Sequence, residues 1–171
     1  MKKGFLLLIT CLVIGVSAHA QTKVGVTAGY LGANLKDGGT YNYTTSETTG
    51  EHTSYSSGFY LGLVSSFTLS EKFSLEPQLL YNNFDDKSFL RLPVLLAYEP
   101  ISKFKIKAGP YVDYLFKSYT GGDANAAIGL QSGLSYDLGS HLFVDTNYSF
   151  QFGDSVGKIL DSFHLGLGYH F

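Results

Sequence analysis

The chain has 171 residues, enough for one domain, with a formal net charge of −2 and only 15% charged residues. Aromatic residues make up another 15%, all Tyr and Phe at 13 each, and glycine reaches 20 residues. So apolar a composition excludes a disordered chain, and without a basic cluster it excludes a nucleic-acid-binding one. Mean hydropathy is +0.07, yet beyond the N-terminal segment no apolar run nears the ~18 residues that a spanning helix needs.

Lys2 and Lys3 precede an apolar core from Phe5 to Val16, and Ala18-His19-Ala20 puts small residues at both cleavage positions ahead of Gln21. Residues 1–20 therefore read as a cleavable signal peptide, with Ala18 and Ala20 as its cleavage determinants, and residues 21–171 as a single following domain. Cys11, the only cysteine, belongs to the signal. The remaining chain is expected to enter an oxidising compartment without a disulfide and to rely on packing and backbone pairing.

From Val24 onward, apolar residues recur at every second position between breaks of Gly, Asn, Asp and Ser, which predicts eight strands. In order, their apolar faces run Val24 to Tyr30, Phe59 to Phe67, Phe73 to Tyr81, Leu90 to Tyr98, Phe104 to Phe116, Ile128 to Leu138, Leu142 to Phe152 and Phe163 to Phe171. None of these faces carries a charge. The opposite faces hold Lys23, Glu76, Arg91, Lys105, Lys107, Asp113, Asp137 and Asp145 among glycines and small polar residues.

Period two alone fits a soluble sandwich or lipocalin as well as a membrane barrel. The polar face is the better guide: an outward aqueous surface would be rich in Lys and Glu, whereas sparse, balanced charge suits a closed interior where charges pair. The predicted connections also alternate, longer at Lys36–Ser57, Asn83–Ser88, Ser118–Asn125 and Gly153–Asp161, shorter at Ser70–Lys72, Glu99–Lys103 and Gly139–His141. The expected fold is therefore all-β, a closed eight-stranded antiparallel up-and-down transmembrane β-barrel, in the outer membrane with both mature termini periplasmic. Tyr30, Tyr81, Tyr98, Tyr114, Tyr136, Tyr148 and Tyr169 fall near strand ends on the apolar face, where amphipathic rings lie at headgroup level. Pro77, Pro93 and Pro110 fall inside strands, and bulges are expected to absorb them.

Leu90-Arg91-Leu92-Pro93-Val94-Leu95-Leu96, Ala108-Gly109-Pro110-Tyr111-Val112 and the closing segment with His164, Gly166, Tyr169 and Phe171 carry a resemblance. The chain resembles the small outer-membrane β-barrels of Bacteroidetes-type bacteria often labelled PorT-like, and more loosely the OmpA-type and OmpX-type eight-stranded barrels. The resemblance implies that His164, Gly166, Tyr169 and Phe171 form a signal to the barrel-assembly machinery, and that outer-membrane lipid is the chain's surrounding.

An eight-stranded barrel is only wide enough to be filled by side chains. Glu76, Arg91, Lys105, Lys107, Asp113 and Asp145 are expected to form a paired polar network in the lumen, with a proton or ion path as the sharper alternative. Candidate rim chemistry consists of Glu51, His52, Asp85, Asp86, Asp123, Asp154 and Ser155, in a pattern any solvated loop shows. No catalytic residue, cofactor or metal ligand is assigned: Asp85 and Asp86 are too few for a cation, and His141, His164 and His170 too scattered. The Lys36–Ser57 loop, rich in Thr, Ser, Tyr and Gly, is the candidate contact for a surface ligand or partner protein. The expected function is structural or surface-interacting. A rim-located enzyme of acyltransferase or protease type and a secreted lipocalin-like carrier of an apolar ligand are the alternatives.

Overall fold

The computed structural model describes residues 22–37, 40–42, 47–49, 52–84, 87–115, 126–152 and 159–171. Ala18 and Ala20 lie outside the described residues, as do Glu51, Asp85, Asp86, Phe116, Asp123, Asp154 and Ser155. The strands in chain order are β1 (Thr22–Asp37), β2 (Thr40–Asn42), β3 (Glu47–Thr49), β4 (His52–Thr68), β5 (Phe73–Phe84), β6 (Lys87–Ile101), β7 (Phe104–Leu115), β8 (Ala126–Asp137), β9 (Leu142–Phe152) and β10 (Ile159–His170). β2 and β3 pair with each other as a separate two-stranded sheet.

The other eight strands close a barrel in the ring order β1, β4, β5, β6, β7, β8, β9, β10, with β10 returning antiparallel to β1 from Gly25↔His170 to Asn34↔Asp161. Closure continues to the last residue: the His170 amide donates to the His141 carbonyl at 2.8 Å and the Phe171 amide to the Val24 carbonyl at 2.9 Å. A closed ladder leaves no unpaired edge, which is what a β-structure needs where water cannot satisfy the backbone.

The alternation in sequence becomes an inversion of the usual soluble arrangement. Leu63, Ile106, Ile128, Leu130, Leu165 and Leu167 point outward and are exposed, Leu167 at 58%, while Arg91 points inward at 0%. A lipocalin-like carrier, with an apolar interior for its ligand and a polar wall, is therefore not this molecule. On β7 the outward row runs from Phe104 to Tyr114. Ten residue steps at about 3.3 Å, tilted about 40°, span about 25 Å, the height of a membrane barrel's apolar band. Aromatic rings edge that band: Phe73 stacks on Tyr98 at 5.0 Å and Tyr169 on His141 at 5.4 Å at the short-turn end, while Tyr30 and Tyr55 meet through their hydroxyls near the opposite end.

Three details differ from the expectations drawn from sequence. The β5–β6 connection is short, because Asn82, Asn83 and Phe84 stay in the ladder opposite Phe89, Ser88 and Lys87. The Ser88 hydroxyl accepts from Asn83 Nδ2 at 2.8 Å and lies 3.0 Å from the Tyr81 hydroxyl, so residues with loop-like composition are satisfied across strands. β1 and β4 likewise extend to Asp37 and His52, shortening the first connection.

Pro77, Pro93 and Pro110 form no bulge; the fourth proline, Pro100, lies within the shift between Tyr98 and Ile101. Pairing skips from Val64↔Gln78 to Phe67↔Leu75, from Pro77↔Val94 to Leu80↔Arg91, and from Pro93↔Tyr111 to Leu96↔Ala108, and each register resumes unchanged. A proline drops a donor without adding a residue, so the ladder is interrupted but not shifted. Ser65 helps at the first gap, donating to the Pro77 carbonyl at 3.4 Å. The register shifts of β1–β10 and β6–β7 fall instead between Asn34 and Leu35 and between Tyr98 and Ile101.

Glycine is required where rings cross the wall. Tyr60 on β4 reaches over β1 to β10, so a Cβ on Gly166 would sit 2.0 Å from its hydroxyl and 2.7 Å from the Ala28 carbonyl oxygen. Gly166→Val is expected to cost about 2 kcal/mol, in the range of core overpacking. Gly139→Val, where a Cβ meets nothing within 4 Å, is expected to stay within about 0.5 kcal/mol. Urea unfolding of the purified variants in lipid vesicles checks this, and equal losses at both positions would contradict it.

Candidate functional site

The interior carries the chain's charged chemistry, arranged in layers along the barrel axis. Nearest the short turns, Lys105 Nζ lies 3.1 Å from Glu76 Oε1, and Lys107 Nζ lies 3.7 Å from Glu76 Oε2 and 3.5 Å from Asp145 Oδ2. Asp145 also accepts from Asn147 Nδ2 at 2.8 Å and from the Tyr60 hydroxyl at 3.3 Å. Glu76 on β5, Lys105 and Lys107 on β7 and Asp145 on β9 are thus one cluster bridging three strands that are not adjacent.

The middle layer is built on Arg91. It faces Asp113 as a direct rung of the β6–β7 ladder, and its Nε and Nη2 donate to the two Asp113 carboxylate oxygens, each at 2.7 Å. Nη1 crosses the lumen to Ser149 Oγ at 2.6 Å and Ser162 Oγ at 2.9 Å, themselves a rung of β9 and β10. Four of its five N–H groups are thereby used, and the guanidinium lies 4.1 Å from the Tyr111 ring centroid. Beside it, His164 Nε2 and Asn82 Oδ1 are 2.9 Å apart, and His164 packs edge-on against Tyr60 with centroids 5.0 Å apart.

Above this layer, toward the long connections, the lumen turns mostly apolar, with Ser56 buried opposite Ala33 and Gln151 two residues beyond Ser149 as polar members. Leu31, Ala33, Leu35, Phe84, Phe89, Leu115, Ala127 and Ile159 form one buried cluster, none more than 8% exposed. Ile159 enters it through the shift that pairs Leu35 with Ile159 after Asn34 with Asp161. The polar network expected from the sequence is thus only part of the filling, and this apolar cluster, or plug, is the other part. Sequence reading also passed over Tyr60, Tyr111, Asn82, Ser149 and Ser162, whose inward parity is visible but whose cross-lumen partners are not.

The structure thus sorts the six lumen residues into two groups: Arg91 with Asp113, and Glu76, Lys105, Lys107 with Asp145. Of the closing segment, His164 and Gly166 face the lumen, while Tyr169 and Phe171 are exposed with centroids 5.8 Å apart. Among the described residues no three His, Cys, Asp or Glu gather as a metal site.

Arg91→Met strands the Asp113 carboxylate in a buried site and is expected to cost about 4 kcal/mol, whereas Arg91→Met with Asp113→Leu is expected to recover most of that loss. Urea titrations of both variants test this; a double variant as unstable as the single one would contradict it.

No family model matches the chain, and no curated protein matches it. Solved structures do. The N-terminal β-barrel domain of Pseudomonas aeruginosa OprF aligns with a TM-score of 0.54 at 13% identity, covering 90% of this chain and 100% of that one. The outer membrane protein OprG of Pseudomonas aeruginosa aligns at 0.52 and 14% identity, covering 91% and 99%. Ail, the attachment invasion locus protein of Yersinia pestis, aligns at 0.51 and 14%, covering 87% and 98%. At such identities the likeness shows fold alone, and that fold is the closed eight-stranded antiparallel β-barrel of outer-membrane proteins.

Proposed function

We propose that this chain is a small outer-membrane barrel with a structural or surface-interaction role, acting through the connections at its plugged end. The carrying observation is the combination of an apolar outer wall with a lumen locked by Arg91–Asp113 and stopped by apolar side chains. Such an interior serves as a rigid core, which leaves the connections as the variable chemistry. The first of these, within residues 36–57, contains the β2–β3 pair and Tyr41, Thr44, Thr45, Ser46 and Thr48, a composition suited to adaptable contact with a saccharide or protein surface. A barrel of the same fold is named for attachment.

In this reading residues 1–20 are removed after Ala20, residues 21–171 form the barrel, and both ends of the mature chain lie in the periplasm. The short-turn end, where Phe171 bonds to Val24, then faces inward. His164, Gly166, Tyr169 and Phe171 would be read by the barrel-assembly machinery before the lumen forms around the first two. The PorT-like resemblance rests on the Leu90–Leu96 and Ala108–Val112 segments.

Chymotrypsin applied to intact cells is expected to cut at Tyr41 or Tyr43 while the barrel stays protected, and a tag following Phe171 is expected to become accessible only after the outer membrane is permeabilised. The boiled and unboiled protein should also migrate differently on a gel. An accessible tag on intact cells, or release of the protein into buffer without detergent, would overturn the proposal.

A further inference from the structure

We infer that an apolar groove on the outer wall, winding over six strands past Ala28, is a binding site for one acyl chain of a phospholipid from the leaflet at the short-turn end. The inference rests on the membrane placement proposed above and adds a particular site to it.

The groove has a volume of about 570 Å³, within the roughly 300 to 1,000 Å³ of small-ligand sites. Its course follows from the strand pairing. One bank is the outward rung Leu142–Tyr169–Val26–Leu63–Leu79, and the other is Leu167–Ala28–Leu61–Tyr81–Leu90. Between them lies the rung Gly168–Thr27–Gly62. Two of its residues have no side chain and Thr27 is buried, so the floor is bare backbone. Two residue steps of about 3.3 Å set the banks about 7 Å apart, room for a hydrocarbon chain. Ala28 deepens the groove midway along the second bank, where every other position of both banks is Leu, Val or Tyr.

Direction and length identify the occupant. The groove crosses β9, β10, β1, β4, β5 and β6, five interstrand steps of about 4.8 Å, or about 24 Å in all. Strands tilted about 40° from the barrel axis make the rungs climb as they cross, so this length rises about 15 Å. The climb shows in the chain: Leu142 is the first residue of β9 after a short turn, whereas Leu90 lies eleven residues before Ile101 at the short-turn end of β6. A rise of about 15 Å is half of a ~30 Å hydrocarbon core, the depth of one leaflet. At the lower mouth Tyr169 stacks on His141, and aromatic rings of this kind mark the headgroup level. The chain enters there and ends beside Leu90. A second barrel does not fit, because a rigid convex wall meets another along a strand or two and cannot follow a trough that winds over six of eight. A flexible chain can.

The test uses the full barrel in vesicles of phosphatidylethanolamine and phosphatidylglycerol that contain a phosphatidylcholine probe with a diazirine at the end of one acyl chain. Adducts formed on irradiation are mapped by mass spectrometry. In the unmodified protein, Tyr81 and Leu90 are expected to carry at least threefold more adduct than Ile128 and Leu130, exposed outward residues of β8 outside the groove. Ala28→Phe fills the groove from the lipid side; it is expected to lower the adducts at Tyr81 and Leu90 at least threefold and to leave those at Ile128 and Leu130 unchanged. Heat-dependent gel migration identifies the folded barrels. Equal labelling of the two walls in the unmodified protein, adducts gathered instead at Val26 and Leu142, or groove adducts that Ala28→Phe does not lower would each overturn the inference and leave the membrane placement standing. Adducts at no outward residue would remove both. Disulfide-linked dimers of Ala28→Cys at a large excess of lipid would assign the groove to a second copy of the chain and overturn the inference too.

Discussion

Hydrocarbon offers no partner to a peptide group, and that constraint governs this molecule from end to end. It is met by closing β10 onto β1, so that the ladder has no free edge, and by carrying the pairing through to Phe171. Once the wall is closed, alternation leaves each residue only two destinations. Apolar side chains go to the lipid, and the charges that a soluble protein would place in water are forced inside together.

Charges so confined are tolerated only as pairs with their remaining hydrogen-bonding capacity filled. Arg91 satisfies this most fully, with two carboxylate oxygens, two hydroxyls and an aromatic face around one guanidinium. Because Ser149 and Ser162 lie across the lumen from β6, the same contacts tie far walls of the barrel together. The Lys105–Glu76–Lys107–Asp145 cluster is looser and nearer the short turns. Packing thus varies along the axis, from looser polar contacts near the short turns to the mostly apolar cluster beneath the long connections.

Much of this is legible in the sequence, because period two is the direct imprint of the constraint. The outward rows of β7, β8 and β10 and the inward charges can be read from alternation alone. What alternation does not carry is register. Arg91 meets Asp113 only because the β6–β7 pairing shifts between Tyr98 and Ile101; a strictly continued register from the turn would set it against Tyr114, which faces lipid. The plug escaped for a related reason: Tyr30 and Leu31 are both large and apolar, so near the long connections the two faces no longer differ in polarity. Ile159 reaches the plug through a shift that no local pattern announces. The polar ends of β4, β5 and β6, such as Ser56, Asn83 and Ser88, look like loops until the partner strand is known, since pairing there is decided by distant residues.

The account rests on which way each side chain of the wall faces, and spin labels placed singly along β8 measure this most directly. With the barrel in lipid vesicles, labels at Ile128, Leu130, Ser132 and Leu134 should collide readily with dissolved oxygen. Labels at Ala127, Gln131 and Ser135 should be shielded from it, giving a period of two. An absent alternation, or one of the opposite phase, would contradict the account.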